Sequence, residues 1–292
     1  IIYRIIKMKK QYKPIENLTI IGESINDSIP STNKLFEEND FEGIKKVAEK
    51  QVKINVKYLD VNVGMHDTIF FSKVIKEIQS AVDLPLSLDS PSFELQKIGL
   101  ETYNKEIANN KKPILNSISE LRLDFFDLYK IQPFIPILIL NEREQNGEKA
   151  QNKSELEIYE TAKRLVKKAR EYNIPNDEIV LDPGVVPIGV DFENKTKMTL
   201  KAMELIHNDD YFKDIHFSVG LSNFSNMLPK RTVLESAFIT LAKPFGLDFI
   251  IGNSKKKYRI LDENNPALKA VMEAIESDGY DSLAIIQEFI SE

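Results

Sequence analysis

The sequence predicts a single-domain α/β protein, a (β/α)8 TIM barrel. Short β-rich apolar runs alternate with longer segments of helical period, and the alternation recurs about eight times. Composition does not break along the chain. Its 292 residues suit one barrel, a fold that typically takes about 250.

Strands are expected at 19–26, 58–63, 85–90, 113–119, 134–141, 178–182, 217–222 and 249–252, each followed by a helical stretch. Residues 1–18 would be an N-terminal extension and residues 19–292 the barrel itself. The clearest helix covers 154–172, with Leu156, Tyr159, Ala162, Leu165, Val166 and Ala169 on one face. Glu155, Glu157, Lys163, Lys167 and Arg170 fall on the other face, and Ser154 is placed to cap the first turn. Pro266 suits the first turn of a helix filled by 267–277 and stopped by Gly279. The final segment, 283–290, is expected to seal the barrel base. Longer connections, 141–152 and 183–189, carry turn residues after their strands, and in this fold the strand-to-helix loops make the active face.

Composition narrows the function. A net charge of −6 offers no positive field for a polyanion, so nucleic acid is not an expected partner. The chain has no cysteine, which removes disulfides, thiolate nucleophiles and thiolate metal sites together. His66, His207 and His216 lack ligand spacing, so no metal centre of the protein's own is expected. At the N-terminus, Arg4 and Lys7 break the apolar run before it reaches signal-peptide length. No stretch approaches the ~20 apolar residues of a membrane helix. The expected location is the cytoplasm.

The candidate chemistry lies at the strand ends. Glu23 and Asn26, Asp60 and Asn62, Asp89, Asn116, Asp182, and Ser222 with Asn223 all fall where barrel strands open into loops. A single Asp or Asn there is ordinarily a turn-former or helix cap. Five or more strands doing so together point to one shared pocket. Carboxylates and amides with few cations nearby suit a neutral heterocycle rich in hydrogen-bonding groups better than a phosphate, and a pterin is such a ligand.

The runs Ile21-Gly22-Glu23-Ser24-Ile25-Asn26, Leu59-Asp60-Val61-Asn62-Val63-Gly64, Ser87-Leu88-Asp89-Ser90, Leu115-Asn116-Ser117, Leu181-Asp182-Pro183 and Gly220-Leu221-Ser222-Asn223, taken in order, resemble the pterin-binding methyltransferases. That family includes methyltetrahydrofolate:corrinoid protein methyltransferases and the folate module of cobalamin-dependent methionine synthase. The resemblance implies a methyl exchange between N5 of (methyl)tetrahydrofolate and the cobalt of a separate corrinoid protein. It assigns Asn223 and Asp60, with a water, to the hydrogen bonding at N5. It assigns Asp89, Asn116 and Asp182 to the pterin edge, with Asn62 and Ser222 beside them, Asn226 as a second amide and Arg231 near the folate tail. Phe224 would pack either on the ring or in the core. Tetrahydrofolate is then a substrate, the cobalamin belongs to the corrinoid partner, and a homodimer is the implied assembly.

Two departures stand out. Ser24 replaces the Arg usual in relatives, and Lys243-Pro244-Phe245 replaces small residues, which predicts a kinked last helix near a partner surface. Dihydropteroate synthase shares the implied fold and pocket, but it needs a basic Ser-Arg-Lys run where this chain has Ser222-Asn223-Phe224. A non-catalytic folate-binding protein is the remaining alternative. The Lys255-Lys256-Lys257 run reads as a solvated loop, or else as a contact for an acidic partner or the folate glutamate.

Overall fold

In the computed structural model, which describes residues 14–54, 56–277 and 279–291, the chain winds a single parallel sheet of eight strands in the order β10-β1-β2-β3-β4-β5-β8-β9. The strands are β1 (Thr19–Asn26), β2 (Tyr58–Asn62), β3 (Leu86–Asp89), β4 (Ile114–Ile118), β5 (Ile135–Ile139), β8 (Val180–Asp182), β9 (His216–Phe217) and β10 (Phe249–Gly252). The sheet closes between β9 and β10 through the isolated bridges Phe217↔Leu247 and Gly220↔Ile251. Ile251 N donates there to Val219 O at 3.0 Å. The predicted (β/α)8 TIM barrel is the fold observed.

The alternation of side chains along each strand builds two cores. Outward residues such as Leu59, Val61, Leu86, Leu88, Leu115, Leu138 and Leu181 join the helices in one large apolar shell. Inward residues Ile21, Ile114, Ile137 and Val180, each completely buried, fill the lumen as a separate cluster with Tyr58, Ile135, Phe249 and Ile251 around it. Two residues beyond Ile21, Tyr58, Ile114 and Val180 stand Glu23, Asp60, Asn116 and Asp182. A packed apolar floor thus lies directly beneath a polar mouth.

The surrounding helices are α1 (Pro30–Glu37), α2 (Phe41–Val52), α3 (Thr68–Ala81), α4 (Phe93–Thr102), α5 (Glu155–Glu171), α6 (Lys195–His207), α7 (Leu221–Phe224), α8 (Arg231–Ala242), α9 (Pro266–Glu276) and α10 (Gly279–Ser291), with a 3-10 run over Glu120–Lys130. Ser154 caps α5 by accepting from Glu157 N. The buried face of α5 runs through Ile158, Thr161, Ala162, Leu165, Val166 and Ala169, whereas Leu156, expected on it, is exposed.

Several expectations are corrected. The run 217–222 does not continue as a strand: β9 stops at Phe217, and Leu221–Phe224 winds into the short α7. The loop 141–152 contains an antiparallel hairpin, β6 (Glu142–Gln145) with β7 (Glu148–Gln151). Gly279 opens α10 instead of ending α9. Helix α10 packs on α9 and on the turn after β8, and Lys230 Nζ reaches Phe289 O, so it flanks the mouth-side connections and not the base. Pro244 lies in the one-turn 3-10 segment that terminates α8 at the base, where Lys243 bonds the Asn17 and Leu247 carbonyls. It ends the helix without kinking it. Of the residues taken as an extension, 1–13 lie outside those described, while Ile15 and Leu18 pack against the core.

Candidate active site

The polar mouth is built from ladder register. Asp60 pairs with Ser87 across β2 and β3, and Asp89 pairs with Asn116 across β3 and β4, so four polar side chains share one corner. Ser87 Oγ donates to Asp60 Oδ1 at 2.7 Å, and Asn116 Nδ2 approaches the same oxygen at 3.4 Å. Asn62 donates to Asp89 Oδ2 at 2.9 Å and accepts from Gly64 N. From behind, the completely buried Gln96 of α4 donates to the carbonyls of Leu88, Ser90 and Asn116. That bond set pins the ends of β3 and β4 together.

Burial dominates the electrostatics. Asp60 is raised well above the ordinary carboxylate range, first by desolvation and then by Asp89 beside it. Asp89 is raised by its own burial, against the stabilising bonds from Asn62 and Asp60 and the charge of Arg122. Each carboxyl therefore keeps its proton to a higher pH than it would in water. Asp182 closes β8 with its carboxyl buried and pushed up to about 7, opposed only by the bond from Gly184 N at 2.8 Å. A buried carboxylate with one donor retains free lone pairs, which suits it to accept from an amino-pyrimidinone edge.

The other side of the mouth is assembled differently. Ser222 Oγ donates to Glu23 of β1, a carboxyl raised by burial and restrained by Ser222 and by the charge of Lys256. Arg231 donates from Nη2 to Ser222 O at 2.9 Å and from Nε to Ser225 Oγ at 3.0 Å. Its guanidinium, expected near a folate tail, is committed to this turn. Ser225 Oγ donates to Glu235, whose fully buried carboxylate also takes Lys256 Nζ on Oε2 at 2.7 Å. Lys256, read from sequence as part of a solvated run, is thus a half-buried ion-pair partner of the buried Glu235.

Asn223 and Asn226 are exposed on and just after α7. Phe224 is completely buried and packs on Phe238 at 4.8 Å, so of its two expected roles it takes the core one. Asp89 and Asp182 end their strands, Asp60 and Asn116 stand at the middle of theirs, and Asn223 lies in the connection after β9. None sits at the opposite face. Sequence reasoning missed Ser87, Gln96, Glu235 and Lys256. Ser87 carried a signal, since it stands two residues before Asp89 on the same inward row. Among the described residues, no group of three or more His, Cys, Asp or Glu could hold a metal ion.

Residues 39–253 match the family model described as pterin binding enzyme. The chain belongs to the pterin binding enzyme family. This pterin binding enzyme is 30% identical over 235 residues, 79% of its own length and 83% of the relative's, to a methylcorrinoid:tetrahydrofolate methyltransferase of Eubacterium limosum. Among solved structures it is similar to dihydropteroate synthase from Thermus thermophilus, with a TM-score of 0.58 and 15% identity over 90% of this chain and 95% of that one. It is also similar to the synthase from Yersinia pestis, with a TM-score of 0.56 and 11% identity over 89% and 93%. At such identities these structures speak for the shared fold, as the sequence resemblance implied.

Proposed function

We propose that this pterin binding enzyme transfers a methyl group from the cobalt of a separate methylcorrinoid protein to N5 of tetrahydrofolate held in the barrel mouth. The observation that carries the reading is the similarity to the Eubacterium limosum methyltransferase over most of both chains. The site's chemistry supports it: the turn after β9 presents Ser222 and Asn223 with no basic side chain between Gly220 and Leu228, which disfavours a synthase handling a diphosphate.

In this reading Asp182 accepts from the amino-pyrimidinone edge, while Asp89, Asn116, Asn62 and Ser222 complete the pterin contacts. Asn226 offers a second amide beside them, and Arg231 acts by shaping the Ser222 turn. Asn223, Asp60 and a water hydrogen-bond N5. When the nitrogen–carbon bond forms, N5 gives up its proton, and in the reverse direction it must gain one before the methyl can leave. Asp60 and Asp89, whose carboxyls burial raises, are the groups proposed to exchange it. The protein then contributes orientation and preorganised hydrogen bonds, with no covalent intermediate of its own.

A protein partner is supported by exposed apolar side chains on mouth-side connections: Met65 and Ile69 after β2, Val190 and Phe192 after β8, and Met227 after α7. A homodimer and a cytoplasmic setting, where cobalt(I) can be kept reduced, complete the proposal. No helix among the described residues is long and apolar enough to cross a membrane. Mixing the purified protein with tetrahydrofolate and free methylcobalamin, and following the cobalt spectrum, tests the reading. Methyltetrahydrofolate should accumulate without dihydropteroate synthesis. Saturable folate binding without transfer would make the chain a binding protein instead.

A further inference from the structure

We propose that the ion pair between half-buried Lys256 and buried Glu235 is a positioning device for Asn223. The inference rests on Asn223 acting at N5.

Asn223 stands on a four-residue helix behind a two-residue strand, so the regular ladder ends at Phe217 and a single isolated bridge at Gly220 precedes it. The turn is gripped by side chains on either side of Asn223. Ser222 is held through its hydroxyl by Glu23 and through its carbonyl by Arg231. The completely buried Ser225 is held by Arg231 and Glu235. Glu235 is the hub, fully buried, with Arg231 Nε at 3.7 Å and Lys256 bonding both carboxylate oxygens. Lys256 comes from the loop after β10 and is the hub's second cation. Two acids, Glu23 and Glu235, thus face two bases, Arg231 and Lys256.

Removing Lys256 leaves the Glu235 carboxylate with Arg231 as its remaining cation, and Arg231 must then choose between the carboxylate and the Ser222 and Ser225 oxygens. Each choice releases one end of the Asn223 turn. The strand-borne pterin contacts Asp89, Asn116, Asn62 and Asp182 make no bond to this cluster, and Ser222 keeps its hydroxyl bond to Glu23, so pterin affinity should fall far less than the rate.

The test is a double-mutant cycle. Lys256→Met, Asn223→Ala and their combination are compared for folate affinity by calorimetry and for single-turnover transfer from methyltetrahydrofolate to free cob(I)alamin. Displacing a catalytic group by about an ångström costs up to about a hundredfold in rate, so Lys256→Met should slow transfer by about tenfold to a hundredfold. Folate affinity should stay within about twofold, the scatter expected of independent sites. In the Asn223→Ala background Lys256→Met should cost nothing further, and Lys256→Arg should recover most of the rate. Multiplicative losses, equal falls in rate and affinity, or full activity in Lys256→Met would each overturn the proposal. Full activity in Asn223→Ala would instead overturn the role of Asn223 on which it rests. If Lys256→Met does not fold, Lys256→Met/Glu235→Leu, which leaves no lone buried carboxylate, is read by the same criteria.

Discussion

The two sides of the mouth are held by different means. From β2 to β4, backbone register sets Asp60 beside Ser87 and Asp89 beside Asn116, and the side-chain bonds follow. At the β9–β10 seam the ladder thins to isolated bridges, and Glu23, Arg231, Glu235 and Lys256 take over the placement of the Ser222–Asn223 turn. A ladder gives a rigid surface for binding. A side-chain clamp sets a turn whose position can be perturbed separately, which suits the group whose interaction must change as the reaction proceeds.

The largest expected effect breaks the clamp itself. Glu235→Ala leaves Lys256 and Arg231 without their shared buried acceptor, and because both cations reach solvent the cost is expected at the lower end of the about 3–5 kcal/mol of a broken buried pair. Urea unfolding should show that loss. A change within the usual ~0.5 kcal/mol of a surface site would mean the seam is not held by charge.

Next comes a test of the binding side. Asp182→Ala removes a buried charged acceptor, worth roughly 1.5–3 kcal/mol, so calorimetry should show folate affinity lowered by about tenfold or more. Unchanged affinity would place the pterin elsewhere. The same residue makes a pH prediction. Asp182, raised by burial to about 7, holds its proton more tightly folded than unfolded. Its contribution to stability is therefore full below the ordinary aspartate value and is lost as pH rises to about 7, at about 1.4 kcal/mol per unit of pKa difference. Between roughly pH 5 and roughly pH 8, ligand-free wild type should lose stability relative to Asp182→Asn. Parallel curves would show that this carboxyl titrates normally.

The smallest effect sharpens the contrast from the ladder side. Ser87→Ala deletes one hydrogen bond to Asp60, and with the ladder intact should cost only about 0.5–1.5 kcal/mol of stability.

Much of the strand-fixed side was legible in advance. The bounds of β1 and β10 coincide with those expected, and the inward row that ends in Glu23, Asp60, Asn116 and Asp182 follows from alternation alone. The seam was not legible in the same way. Phe217 to Ser222 alternates like a strand, yet β9 stops at Phe217 and the chain turns into a helix at Leu221. The hairpin over β6 and β7 did carry a signal: Asn146 and Gly147 both take positive φ, the pattern of an Asn-Gly hairpin turn. Lys256 carried none. It lies within a run of three lysines, and its acceptor, Glu235, is 21 residues away on another element. No local pattern tells an ion-paired, half-buried lysine from its exposed neighbours.

The central claim is that Asn223 acts on the transition state more than on the bound folate, and single-turnover transfer measured beside folate affinity in Asn223→Ala tests it most directly. An amide at N5 meets an amine in the ground state and a nitrogen exchanging its proton as the bond to carbon breaks, and only the difference between those interactions lowers the barrier. Removing such a preorganised group commonly costs about 10²–10³ in rate, whereas an ordinary neutral hydrogen bond is worth about 0.5–1.5 kcal/mol in binding. The account predicts a rate loss of that size with a far smaller loss of affinity. Equal losses in rate and affinity, or an unchanged rate, would contradict it.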